Sequence, residues 1–137
     1  MSVVKEIIRL DDGNKLCFGD YSLAEKKKIE DFPFSGDLLK VKTFNEITRL
    51  EKNGLFLYES VPGTAVFNFV EDENGISFDV EAKEDAQITV GLEEDTEYHV
   101  TVAGQESGII KTNLGGKLSF SVELAGCGLP FYWDQLH

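Results

Sequence analysis

The chain has 137 residues, and 25 acidic against 13 basic side chains leave a formal net charge of −12 at pH 7. That length suits one domain of ordinary size, or two small ones sharing a core. A content of 42% hydrophobic and 28% charged residues is the balance of a folded chain rather than a disordered one. The acid excess weighs against nucleic acid and against anionic membranes as partners, because both require a basic face.

Cys17 and Cys127 are too few for a disulfide scaffold and fit no metal-ligand spacing. The opening Met1-Ser2-Val3-Val4-Lys5-Glu6 lacks the apolar core of a secretory signal. No run approaches the roughly 18 apolar residues that span a bilayer. A cytoplasmic protein with reduced thiols is expected.

In chain order, Asp11-Asp12-Gly13-Asn14 marks the first turn. Leu23 to Glu30, with Ala24, Glu25 and three lysines, tolerates a helix but is short. Ser35-Gly36-Asp37 is the next turn. Thr43 to Lys52 places Phe44, Ile47 and Leu50 three apart, yet Ile47, Arg49 and Glu51 also alternate with Thr48 and Leu50, and strand is favoured. Asn53-Gly54 and Asn74-Gly75 carry the signature of tight hairpins, since both residues tolerate positive φ. Val61-Pro62-Gly63-Thr64 reads as a type II turn and as a boundary. It divides a β-rich region, residues 1–62, from a sandwich region, residues 63–137, which are small enough to share one core.

Beyond that turn a period of two dominates. Ile76, Phe78, Val80 and Ala82 share one face, as do Ile88, Val90 and Leu92. Tyr98, Val100 and Val102 repeat the pattern, followed by Leu118, Phe120, Val122 and Leu124. Phe67, Phe69, Phe78 and Phe120 are core candidates. Turns at Ala103-Gly104-Gln105 and Asn113-Leu114-Gly115-Gly116 complete a spacing of roughly ten residues, which suggests a sandwich or barrel. The fold class expected is all-β, an antiparallel β-sandwich.

Leu92-Glu93-Glu94-Asp95-Thr96-Glu97-Tyr98-His99-Val100-Thr101-Val102 resembles the strand corner of fibronectin type III and related immunoglobulin-like domains. That resemblance implies an immunoglobulin-like C-terminal part in which the Tyr98 hydroxyl bonds back to the backbone and Leu92 lies in the core. Phe18-Gly19-Asp20-Tyr21, Lys40 to Gly54, Tyr58 to Val66 and Lys111 to Lys117 are similar to a group of short Gram-positive bacterial proteins, some labelled endosialidase. The likeness runs from residue 3 to about residue 124 and implies no particular catalytic residue. The tail departs from it, because Cys127-Gly128-Leu129-Pro130-Phe131-Tyr132-Trp133 reads as an irregular terminus rather than one more strand.

Chemistry is sparse. Sialidases grip the sugar carboxylate with arginines, and this chain has only Arg9 and Arg49. His99 and His137 are the only histidines, and His99 falls on the strand face opposite Tyr98, toward solvent. No nucleophile elbow or phosphate loop appears. Cys17, between Leu16 and Phe18, reads as a quiet strand residue. The acidic turns at Asp11, Glu71 and Glu93 offer oxygen ligands but match no calcium loop, and they read as solvated turns.

No catalytic, cofactor-binding or metal-binding residue is assigned, and no cofactor is expected. Phe131, Tyr132 and Trp133 form the one candidate contact surface, able to stack on sugar rings or cover a neighbouring subunit. The function expected is a non-catalytic binding or assembly module, a homo-oligomer or the partner of another protein. The alternative is a carbohydrate-binding or sialic-acid-polymer-processing protein.

Overall fold

Among the described residues the alternating segments become thirteen antiparallel strands, and there is no helix. The computed structural model describes residues 3–13, 15–72, 75–83, 85–102, 105–122 and 129–135; side chains are placed for these except residues 72, 75, 100–102, 105–107, 120–122 and 129–135. In chain order the strands are β1 (Ile8–Asp11), β2 (Lys15–Phe18), β3 (Lys27–Phe34), β4 (Asp37–Phe44), β5 (Ile47–Lys52) and β6 (Leu55–Val61). There follow β7 (Ala65–Asp72), β8 (Gly75–Glu81), β9 (Ala86–Gly91), β10 (Glu97–Val102), β11 (Gln105–Lys111), β12 (Lys117–Val122) and β13 (Leu129–Gln135).

Two sheets result, one ordered β1-β2-β7-β8-β13-β10-β11 and the other β12-β9-β6-β5-β4-β3. Strands from either side of Val61–Thr64 enter both sheets, and one core cluster draws on both regions. An all-β sandwich is thus the architecture. The inward sets Ile76, Phe78, Val80 and Ile88, Val90 are buried as their period requires.

Aromatic side chains join the layers. Tyr58 on β6 meets Phe18 on β2 edge-on at 5.4 Å and Phe78 on β8 at 5.5 Å, so one ring bridges the two sheets. Phe69 closes the cluster against Phe18 and Phe78, both at 5.7 Å. Each such contact adds about 0.5–1.5 kcal/mol beyond the area it buries.

Burial of the phenol gives a pH signature. Tyr58 is fully buried, and desolvation pushes its ionisation above the ordinary tyrosine range. Above about pH 10 an unfolded tyrosine sheds its proton while the folded one keeps it, so the unfolded state gains and stability falls as pH rises. Buried Cys17 is shifted in the same direction. Urea midpoints measured from about pH 8 to about pH 11 should therefore decline, and Tyr58→Phe should flatten that decline. An equal slope in wild type and variant would refute the attribution.

Several expectations are corrected or sharpened. Lys27 to Glu30 is strand, not helix, because β3 pairs with β4 in the register Lys27↔Thr43, and that ladder overrides a weak helical preference. The segment favoured as strand over Thr43 to Lys52 holds a turn at Asn45-Glu46 between β4 and β5. Asn53 and Gly54 both have positive φ, 52° and 81°, as a two-residue hairpin of this type demands. At the second expected hairpin Gly75 belongs to β8, paired with Asp72 of β7, and Asn74 lies outside the described residues.

Gly63 has no positive φ, so Val61-Pro62-Gly63-Thr64 is not a type II turn. Phe67 is only half-buried, because a bulge at Asn68, with φ 57°, breaks the alternation between Phe67 and Phe69. The side chain of Phe120 lies outside the described part. The tail also differs from its expectation. Leu129 to Gln135 is a strand between β8 and β10, with Phe131 opposite both Phe78 and Val102, so pairing on two sides gives it a regular backbone.

Two of the four edge strands, β3 and β11, carry features that blunt strand addition. β3 holds Pro33, four charged residues and a register shift at Asp31, φ 57°. β11 holds Gly108, φ 99°, opposite a shift in β10.

Candidate functional site

Every strand reverses direction, so the connections β2–β3, β4–β5, β6–β7 and β8–β9 gather at one end of the sandwich. Hydrogen bonds lace three of them together. Asn45 N–H donates to Leu23 O at 2.9 Å, and Gly63 N–H donates to Asn45 O at 3.1 Å. The Asp20 N–H donates to Thr43 Oγ1 at 3.0 Å.

Under these loops lies a buried polar floor. Thr48 Oγ1 contacts Thr43 Oγ1 at 2.8 Å, donates to Thr64 O at 2.8 Å and accepts from Thr64 N–H at 3.1 Å. Thr64 Oγ1 lies 2.8 Å from both the Tyr58 hydroxyl and Ser60 Oγ. Thr43, Thr48, Ser60 and Thr64 are all buried, so each bond replaces one water would have made. Backbone approach tightens the same region. A Cβ on Gly63 would stand 2.1 Å from Phe44 O, which explains glycine there without any need for positive φ.

Above this floor opens a cleft of about 1180 Å³. Phe44, Ile47, Val61 and Pro62 form an apolar wall, and Asn45 and Glu46 stand at the tip of the β4–β5 turn. Three lysines from separate segments share the lining: Lys26 before β3, Lys42 on β4 and Lys83 after β8. Tyr21 and Ser22 complete the lining on the β2–β3 side. Tyr21 is buried and its hydroxyl has no hydrogen-bond partner among the described residues. Burial, then Glu81 and Asp20, push its phenol above the ordinary range, so it remains a neutral donor. Ser22 N–H donates to Asp20 Oδ1 at 2.9 Å and Ser22 Oγ donates to the same oxygen, which ties that carboxylate into the loop.

The residues singled out from sequence lie elsewhere. Phe131, Tyr132 and Trp133 occupy an interior strand, and their side chains lie outside the described part. Tyr98 is buried, and its hydroxyl accepts from Glu93 N–H at 3.0 Å; Leu92 packs against the core. His99 is half-buried rather than directed to solvent, because β10 runs inside the sheet between β13 and β11. Cys17 is buried in β2, its thiol donating to Asp11 Oδ2 at 3.3 Å. Burial holds it in the thiol form, which is the unreactive one. Cys127 and His137 lie outside the described residues.

Among the described residues, no three His, Cys, Asp or Glu side chains come together as a metal site. Sequence reading missed the cleft because its parts are scattered through four connections. The nearest signal was the Val61-Pro62-Gly63-Thr64 turn, taken there as a boundary. No family model, no curated protein and no solved structure matches this chain.

Proposed function

We propose that the protein is a non-catalytic binding or assembly module whose working surface is the cleft at the β2–β3, β4–β5 and β6–β7 end. One observation carries this reading: an open cavity of about 1180 Å³ stands on a fully bonded hydroxyl floor. A rigid scaffold presenting loops at one end is a common way for a sandwich to hold a ligand. Its size slightly exceeds the usual range for a small-molecule pocket. It has room for a small ligand or for a loop of a partner, a second copy included.

Carbohydrate is the second reading, favoured by the juxtaposition of the Phe44 ring with Asn45 and Glu46 in one lining. Sugars pair a stacking face with polar hydroxyls in the same manner.

The test couples a glycan array and light scattering, over a wide concentration range, to a blocked variant. Asn45→Trp places a bulky ring on an exposed turn residue at the cleft. Wild type should give a glycan hit or a rise in mass with concentration, and Asn45→Trp should abolish it with circular dichroism unchanged. A strict monomer with no hit would remove the proposal, as would hits indifferent to the variant. Turnover of any compound by the pure protein would remove its non-catalytic part.

A further inference from the structure

We infer that the cleft binds a small organic anion bearing two or more carboxylate or phosphate groups, held by Lys26, Lys42 and Lys83. This inference rests on the cleft being the working surface and adds the class of ligand.

Charge is the first argument. The chain carries 25 carboxylates for 13 basic side chains, so a lysine has many chances to find an acid. Arg9, Lys28, Lys40, Arg49, Lys52 and Lys111 each do so. Lys5, Lys15, Lys26, Lys27, Lys42, Lys83 and Lys117 form no ion pair among the described residues, and of these Lys26, Lys42 and Lys83 line the same cavity. Among the described residues, Glu46 is the one carboxylate in that lining against three lysines, with Asp20 and Glu81 close to Tyr21 beside it. Bringing three ammonium groups to one concave surface costs repulsion, and an anion bound among them relieves it.

Shape and donors are the second argument. Phe44 and Pro62 give the ligand's carbon body a wall to cover. Tyr21 adds a buried neutral hydroxyl with no described partner. A bare inorganic ion would use the charges and leave the wall uncovered, so an organic anion fits more of the lining. The far end of the sandwich differs: its turns carry Asp12, Asp37, Glu93, Glu94 and Asp95, all repelling such a ligand.

Citrate and inorganic pyrophosphate are the probes, titrated separately into the full chain at constant ionic strength and followed by backbone amide shifts. One carries carboxylates and the other phosphates, so the two arms separate the sources of charge. Saturable shifts should centre on Ser22, Lys26, Asn45, Glu46 and Lys83, with Kd below about 1 mM for at least one probe at low salt. The double variant Lys42→Gln with Lys83→Gln should weaken that binding roughly tenfold. Its melting temperature should barely move, because surface substitutions of this kind are close to neutral.

No saturable shift up to about 10 mM of either probe would overturn the inference. Shifts scattered over the surface, or binding indifferent to the double variant, would do the same. Cellotriose serves as the neutral arm. If it occupies the cleft while both anions fail, the anion assignment falls and the binding-module reading stands. If all three probes fail and Asn45→Trp changes no glycan hit or mass, both fall.

Discussion

Gly19→Ala should destabilise the protein by roughly 3–5 kcal/mol, adding steric overpacking to backbone strain. Gly19 sits at φ 102°, and a Cβ there would stand 2.4 Å from Thr64 O and 3.3 Å from Ala65 Cα. The obstacle is backbone on the adjoining β6–β7 connection, so no side-chain rotamer can relieve it. Moving the loop would also break two bonds that pin the N-terminal segment, Val4 N–H to Gly19 O at 3.0 Å and Gly19 N–H to Ile7 O at 2.9 Å. Gly36→Ala is the control. Gly36 has a similar φ, 87°, but a methyl group there would meet nothing within 4 Å. It should cost only about 1 kcal/mol, the strain part alone. Urea unfolding of the three proteins reads both values; equal losses would show that packing against Thr64 is unimportant.

Thr48→Val should cost about 2–4 kcal/mol, more than its nearly unchanged volume suggests. The hydroxyl it removes serves Thr64 through both its N–H and its carbonyl and also meets Thr43. Thr48 is fully buried, so water cannot take over those bonds without opening the floor. Thr48→Ser keeps the oxygen and loses one methyl, worth about 0.8 kcal/mol. The order wild type, then Ser, then Val in the urea midpoint is the expected result. A valine variant as stable as the serine one would mean that the hydroxyl network contributes little. Since this floor carries the cleft, the valine variant should also weaken binding of any cleft ligand through loosened loops.

The pattern of exposed apolar groups bears on assembly. Leu38 and Leu55 stand exposed beside the Asn53-Gly54 turn, at the end opposite the cleft, where Leu38 O accepts from Asn53 N–H at 2.9 Å. With β3 and β11 guarded by proline, charge and bulges, self-association of the kind proposed would run through the ends of the sandwich rather than through these two edges.

Much of the architecture was legible in the order of residues. Alternation in Ile76 to Ala82 and Ile88 to Val90 reports a single property, which side of a pleat faces oil, and a strand's neighbours along the chain suffice to state it. Asn53-Gly54 was legible for a similar reason, since its positive φ values are local chemistry. Phe67 was misread because a bulge at Asn68 shifts the register, and bulges are set by the partner strand. The strand at Leu129 to Gln135 was missed because its proline and mixed composition weaken the pattern, while pairing with β8 and β10 supplies the order.

By itself, then, the sequence determined many of the strands, most of their inward faces and the tight hairpin at Asn53-Gly54, all of which depend on residues a few positions apart. Tertiary structure alone decided the sheet order, the seating of Thr43 and Thr48 against Thr64, and the sharing of one lining by Lys26, Lys42 and Lys83. Thr48 and Thr64 are 16 positions apart, Lys26 and Lys42 are equally far apart, and Lys83 lies farther still along the chain. No local periodicity encodes a distance that only the packing of two sheets creates.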